Sequence, residues 1–135
     1  MFDAMNAAGS GLSTYQTWLD ALSDNIANVN TVEPTSGKAF QAEYIQAQSM
    51  ATTDHGVGGG VQVTGVSLGS TEGRLTYDPE NPQADAGGYV RLPDIDMSEQ
   101  MGNLIMAQRA FQANAQTVDR AYDTYQSAID IAKKA

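Results

Sequence analysis

Cysteine is absent from the 135-residue sequence, which excludes disulfide bonds, thiol nucleophiles and cysteine metal ligands. The sequence also has no run of about 18 apolar residues, so we expect no transmembrane segment. The N-terminus lacks a basic region, and Gly9 and Gly11 interrupt its apolar residues, so we expect no cleaved signal peptide. Any export from the cytoplasm would therefore use a route that does not depend on such a peptide.

Basic residues are scarce, because seven Lys and Arg stand against 16 Asp and Glu, for a formal net charge of −9. An acidic chain without a basic cluster is repelled by phosphate backbones, so we expect no nucleic-acid partner. Lys133 and Lys134 form an adjacent basic pair near the C-terminus. Positive charge there is favourable beside the C-terminal end of a helix dipole.

Candidate reactive groups are few and isolated. His55 is the only histidine, and it lies in a glycine-rich segment without metal-ligating or catalytic partners. Residues 56–60 are not followed by the Gly-Lys-Ser/Thr of a phosphate-binding loop. Residues 78–85 place Pro82 and Gln83 where a calcium-binding loop needs an oxygen ligand and a glycine, so we predict a turn there. We expect no enzyme activity, no cofactor and no metal.

Proline and most glycines are confined to the middle of the chain. All four prolines lie between Pro34 and Pro93, and ten of the 13 glycines lie between Gly37 and Gly88. Long helices are therefore excluded from residues 32–95.

Within this middle region, β-branched or alternating residues predict three strands, at Val61–Leu68, Arg74–Tyr77 and Tyr89–Leu92. Residues 40–45 alternate as a strand does, whereas the Ala/Gln-rich residues that follow are compatible with a helix; we favour a strand. The small, polar, glycine-rich residues 49–60 predict a loop. The middle region is thus predicted to be a small β-rich insertion.

The N-terminal residues 1–31 have a heptad pattern that predicts a helix packed against another helix. Its apolar positions alternate in steps of three and four: Met5, Ala8, Leu12, Tyr15, Leu19, Leu22, Ile26 and Val29. Gly9 and Gly11 each cost about 1 kcal/mol relative to alanine in a helix. They either break the helix near Ser10 or permit close packing, and the residues alone leave both open.

Three asparagines lie near the end of this predicted helix. Asn30 is expected to cap it, because asparagine favours helix ends and turns. Asn25 and Asn28 either serve the same end or donate hydrogen bonds to a neighbouring subunit.

The C-terminal residues 97–135 predict a second and longer helix. Its stripe again alternates in steps of four and three: Met97, Met101, Leu104, Gln108, Phe111, Ala115, Val118, Tyr122, Tyr125, Ile129 and Ala132. Asp96 and Glu99 have the spacing of a helix N-cap and capping box. The helix would extend roughly 55 Å, and it cannot bury its own stripe.

The predicted fold is mainly α. Long N- and C-terminal helices, residues 1–31 and 97–135, are expected to pair as an antiparallel-type coiled coil and to form one core domain. Residues 32–96 form the β-rich insertion between them.

Two segments resemble a known family. LSDNIANVNT at residues 22–31 is similar to the N-terminal signature of the flagellar axial proteins, which form the rod, hook and hook-associated structures. YDPENPQADAGGYVRLPDIDMSEQM at residues 77–101 and LIMAQRAFQAN at residues 104–114 are similar to the proximal-rod members of that family.

The resemblance implies a structural subunit of the bacterial flagellar basal-body rod. Such a subunit would be exported by the flagellar type III export apparatus, and it would assemble with itself and with other rod proteins. The family's terminal helices order as a coiled coil when subunits stack, and the rod transmits torque from motor to hook. The alternatives are another short flagellar axial protein or a secreted helical-hairpin interaction module.

Nine apolar residues of the two heptad stripes are the candidates for the assembly interface: Leu19, Leu22, Ile26, Val29, Leu104, Phe111, Val118, Tyr122 and Ile129. Each could equally serve as the core of an intramolecular helix pair.

Overall fold

The computed structural model describes residues 2–51 and 58–134. Along the described chain the elements are α1 Phe2–Asn28, β1 Glu33–Pro34, β2 Glu43–Ser49, β3 Val61–Leu68, β4 Arg74–Tyr77, β5 Tyr89–Leu92 and α2 Met97–Lys134. The mainly helical fold with a helix at each end and a small β insertion between them is confirmed. Gly9 and Gly11 lie inside a continuous α1, so the helix does not break near Ser10.

The N-terminus of α2 is capped as predicted. The Asp96 carboxylate oxygen Oδ1 accepts hydrogen bonds from the backbone N–H groups of Ser98 (2.8 Å) and Glu99 (3.2 Å). These donors belong to the first helical turn, where backbone N–H groups have no partner within the helix. Asp96 therefore determines where α2 begins.

The end of α1 is closed by Asn28 rather than by Asn30. The backbone carbonyl of Asn28 accepts a hydrogen bond from the Thr31 N–H at 2.9 Å, and its Oδ1 accepts one from the Thr31 hydroxyl at 3.1 Å. Asn30 does not adopt the left-handed conformation of many helix caps, because the described residues with positive φ are all glycines. Asn30 therefore lies in the turn that follows α1 without forming a left-handed cap.

The two helices pack side by side and run antiparallel. Near the end of α1, the Asn25 side chain hydrogen-bonds Gln100 near the start of α2. Near the start of α1, a Cβ built on Gly11 would lie 3.1 Å from Nδ2 of Asn114. Residue 25 of α1 lies beside residue 100 of α2, and residue 11 lies beside residue 114, so residue numbers rise along α2 as they fall along α1. The start of α1 therefore lies level with about residue 123 of α2. The last turns of α2, residues 124–134, therefore project roughly 16 Å beyond α1.

The insertion contains two small antiparallel sheets. β2 and β3 form a hairpin with an irregularity between Gln46 and Ala47, and β1, β5 and β4 form a three-stranded sheet in that order. The strands predicted from sequence at β3, β4 and β5 are confirmed. The strand predicted at residues 40–45 instead begins at Glu43 and continues to Ser49, since the Ala/Gln-rich residues pair with β3. The predicted loop falls partly on residues 52–57, which lie outside the described residues.

A small core joins the insertion to the helix pair. Val29, Ala42 and Ile95 form a buried cluster, against which Phe40 packs. These residues come from the end of α1, the segment before β2 and the segment before α2. The core therefore holds together the end of the helix pair at which α2 begins.

The hairpin also docks on α1 further from this core. The hydroxyl oxygen of Ser10 accepts a hydrogen bond from the Val61 N–H at 3.0 Å, and a Cβ on Gly60 would clash with that hydroxyl. Gly60 has φ +98°, a conformation that favours glycine. In the part of the chain that the structure describes, neither helix has the length and hydropathy needed to cross a membrane.

Candidate assembly surface

The face of α1 that meets α2 is rotated from the predicted stripe. Gly11 and Asn25 of α1 contact α2. Steps of three and four residues from these two positions define the contact face of α1. Its residues are all buried or partly buried: Ala8, Gly11, Tyr15, Trp18, Leu22, Asn25 and Val29. Every second predicted position belongs to this face. The others, Met5, Leu12, Leu19 and Ile26, lie one residue to the side and are partly buried.

The same rotation occurs in α2. Its contact face follows the heptad positions Gln100, Ala107, Asn114 and Ala121, with Gln100 2% and Ala107 0% exposed. Leu104, Phe111 and Val118 flank this face and are partly buried. Of the other predicted positions between Met97 and Tyr122, Met97, Met101, Gln108 and Tyr122 are exposed, whereas Ala115 is partly buried.

The physical reason is that small and amide side chains occupy the helix contact. Gly11 and Ala107 allow the two backbones to approach closely, and Asn25 and Gln100 are bonded to each other. The sequence prediction relied on large apolar residues at heptad spacing, so it missed these small and amide residues. They also recur at heptad spacing in the sequence.

The nine candidate assembly residues therefore differ in their accessibility. Leu22 and Val29 are buried within the chain, and Tyr122 is exposed. Leu19, Ile26, Leu104, Phe111, Val118 and Ile129 are partly buried. An assembly role stays a prediction for all nine, and Tyr122 is the one that a second chain reaches without any rearrangement.

The structure exposes further apolar residues that are not among the nine candidates for the assembly interface. On α2, Met97, Met101 and Ile105 follow one another in steps of four, and each is at least 39% exposed. With Tyr122 they form what we call the outer stripe of α2. Four-residue spacing forms a ridge along a helix, which is the geometry that packs into the groove of another helix.

A second exposed apolar patch lies on the three-stranded sheet. Tyr77 pairs with Tyr89 in the register of β4 and β5, and their rings meet edge to face with centroids 5.3 Å apart. Leu75, two residues before Tyr77, points to the same side and is also exposed. Side chains of this kind on one sheet face favour contact with another protein surface.

Asn25 bonds within its own chain. Its Nδ2 donates to the Glu43 carbonyl at 2.9 Å and to Gln100 Oε1 at 3.1 Å, and its Oδ1 accepts from the Glu43 N–H at 2.8 Å. Asn25 is 0% exposed. Asn28 donates to the Asp24 carbonyl at 2.9 Å. A hydrogen bond to a neighbouring subunit was one of the two roles expected for these asparagines, and for Asn25 the structure excludes it.

Residues 78–85 form a turn, as predicted. Asn81 Nδ2 donates to Asp78 Oδ2 at 3.1 Å, and the Asp78 N–H donates to the Gly88 carbonyl at 2.9 Å. Within the described ranges, no cluster of three or more His, Cys, Asp or Glu is placed to hold a metal ion. His55 lies outside the described residues. An open cleft of about 480 Å³ beside the start of α2 is lined by Val29, Asn30, Arg74, Asp94, Ile95, Asp96 and Met97.

The Asp85 carboxylate accepts hydrogen bonds within the turn that follows it, and these bonds make the stability of the sheet depend on pH. Hydrogen bonds from the Tyr89 N–H first, and then from the Thr35 hydroxyl and the Gly87 N–H, hold the pKa of Asp85 below its ordinary value. A lowered folded-state pKa means that the stabilisation is present above the ordinary pKa and is lost as pH falls through the folded-state value.

We therefore expect the wild-type chain to exceed Asp85→Asn in stability at about pH 7, and the difference to shrink as pH falls below the ordinary aspartate pKa and through the lowered folded-state pKa. Urea unfolding of both chains across this range measures the difference. A constant difference at all pH values would contradict the role assigned to the carboxylate charge, because the other acidic groups are common to both chains.

Two family models match the chain at its two ends. The family described as Flagella basal body rod protein matches residues 5–35, and the family described as Flagellar basal body rod FlgEFG protein C-terminal matches residues 86–131. These segments include most of α1 and most of α2. The matches therefore coincide with the two helices that carry the candidate assembly residues.

Curated relatives match over nearly the whole length. The flagellar basal-body rod protein FlgC of Salmonella typhimurium is 32% identical over 88% of each chain. The FlgC protein of Agrobacterium fabrum is 34% identical over 96% of this chain and 94% of its own. That of Borreliella burgdorferi is 29% identical over 97% of each chain. The chain therefore belongs to the FlgC family of flagellar basal-body rod proteins, a family of structural proteins rather than enzymes.

Proposed function

We propose that this chain is a subunit of the proximal part of the flagellar basal-body rod, located in the basal body and assembled with itself and with other rod proteins. It is exported through the flagellar type III apparatus. It polymerises through its terminal helices, which pair as an antiparallel coiled coil, and in the rod it transmits torque from motor to hook.

The observation that carries the proposal is the apolar surface of α2 that its own chain leaves uncovered. α1 packs against one side of α2, while the outer stripe of Met97, Met101, Ile105 and Tyr122 stays exposed. Beyond α1, Ile131 on the projecting turns is 70% exposed. Covering such a surface with other subunits removes apolar area from water, at about 25 cal/mol per Å².

The shape of the helix pair supports stacking into a tube. Because α2 projects beyond α1, the two ends of the pair differ, and a neighbour that covers the projection makes a head-to-tail contact. Head-to-tail contacts that do not close into a ring generate helical filaments. Assembly also stabilises each subunit by mass action, which suits a chain with a small core.

The heptad spacing of the contact supports the coiled-coil part of the proposal. Asn25 and Gly11 are 14 residues apart, and so are their respective partners Gln100 and Asn114. Contacts that recur at whole heptads on both helices are typical of coiled-coil packing.

Tyr122→Asp tests the proposal in cells that lack their own copy of the gene. We expect the variant to be exported into the medium but not built into the rod, so that swimming is abolished. The reason is that a charge on the outer stripe must be desolvated when a neighbouring helix covers it. Swimming in soft agar, secreted protein and mass spectrometry of isolated basal bodies are measured together.

Thr117→Asp is the matched control, because Thr117 is exposed on the same helix but points more than about 100° around the helix axis from every residue of the outer stripe. It adds the same charge, and we expect normal swimming. Normal swimming of Tyr122→Asp would contradict assembly through the outer stripe. Absence of the wild-type chain from basal bodies would contradict the rod assignment and favour a secreted helical-hairpin module.

A further inference from the structure

Asn25 is a polar side chain in the middle of a helix contact. It is fully buried and uses both Nδ2 hydrogens and its Oδ1 to bond Gln100 of α2 and the backbone of Glu43 in β2. Gln100 is itself 2% exposed. A buried amide without hydrogen-bond partners would raise the free energy of the folded chain. The alignment of the two helices is therefore most constrained at Asn25 and Gln100.

Further along the helix contact, the positions of α2 that follow Gln100 distinguish poorly between alternative registers. Along α2, Ala107, Asn114 and Ala121 follow one another at heptad spacing, and Gly11 faces the middle one. If α2 slipped by one heptad, Gly11 would face Ala121, which is smaller than Asn114. Packing at this end would therefore tolerate the slip.

The same slip would disrupt the bonds of Asn25. It would place Asn25 level with Ala107, which offers no side-chain acceptor, and Gln100 would lose its donor. A slip in the opposite direction would place Asn25 level with Pro93, which precedes α2. Only the observed register bonds both side chains.

We propose that Asn25 and Gln100 form a register lock, which restricts the antiparallel helix pair to one alignment. β2 takes part by holding the amide in place. The two bonds with the Glu43 backbone orient the Asn25 side chain, so that its second Nδ2 hydrogen points at Gln100. Buried amides have this role in coiled coils, where they select register rather than add stability. This inference concerns folding within one chain and does not depend on the proposed function.

Disulfide cross-linking measures the register directly, because the chain has no native cysteine. Gly11→Cys with Asn114→Cys reports the observed alignment, and Gly11→Cys with Ala121→Cys reports the one-heptad slip. Each pair is oxidised by dissolved oxygen in the purified full-length chain, in buffer that contains trimethylamine N-oxide as an osmolyte to favour compact states. With Gln100 present, we expect the first pair to cross-link at least about tenfold faster than the second.

Gln100→Met is the test variant, because methionine has a similar size and shape but no amide. We expect it to reduce the preference to within about threefold, since Asn25 then lacks its partner in both registers. Gln100→Glu, which keeps an acceptor oxygen, should restore the preference. Gln108→Met, at an exposed position of the same helix, is the control and should leave it unchanged.

A tenfold preference that persists in Gln100→Met would overturn the proposal and indicate that bulky side chains such as Trp18 set the register. Loss of both cross-links in that variant would also overturn it, because a register lock predicts redistribution between alignments and not loss of helix pairing.

Discussion

Replacing Leu22 with aspartate is expected to unfold the helix pair, at a cost of about 4 kcal/mol or more. Leu22 is 3% exposed on the face of α1 that meets α2, so the new carboxylate would be buried without a partner. This is a large fraction of the stability of any small domain. Circular dichroism at the helix band and its thermal midpoint in the purified chain measure the loss.

Ser23→Asp is the matched control, because it introduces the same residue one position further along at an exposed site. It should change the free energy of unfolding by no more than about 0.5 kcal/mol. The comparison also separates the two roles that the sequence leaves open for Leu22. A stable Leu22→Asp chain that fails only in rod assembly would show that Leu22 belongs to the contact between subunits.

Removing residues 97–135 is expected to melt most of α1. Isolated helices of moderate length are marginal in water, and Gly9 and Gly11 each cost about 1 kcal/mol relative to alanine. Without α2, Asn25 loses Gln100, and the contact face of α1 becomes exposed. The helical signal remaining in the truncated chain measures this dependence.

Removing only residues 126–135 is the control for that truncation. Residues 126–134 lie beyond the part of α2 that α1 covers, so the rest of the chain should unfold within about 3 °C of wild type. In cells, however, this shorter chain should not support swimming, since the projecting turns are part of the proposed contact between subunits. Unfolding of the shorter chain at a much lower temperature would contradict the register described above.

Local rules were sufficient for most of the secondary structure. Asp96 begins α2 because its carboxylate binds the free N–H groups of the first turn, and this depends on neighbours in sequence alone. β3 follows from its β-branched residues in the same way. The strand at residues 40–45 was misplaced because the pairing of Gln46–Ala47 and the residues after them with β3 is not local.

The sequence predicted only part of the contact face of each helix. Heptad spacing showed that both terminal helices have a contact face, and Leu22, Phe111 and Val118 lie on it or beside it. Large apolar residues pointed to a face one residue away from the true one. The true face contains Gly11 and Ala107, whose small size matters only when a second backbone is close.

The sequence alone determined a helical pair around a β insertion. It lacks cysteine, it confines proline to the middle of the chain, and it has a heptad pattern at each end. These are properties of composition and short-range spacing, and they need no partner to be recognised. The tertiary structure decided which side of each helix is buried, how far α2 projects, and that Asn25 bonds Gln100 rather than another subunit. These depend on distances between residues far apart in the chain, which only the packed structure defines.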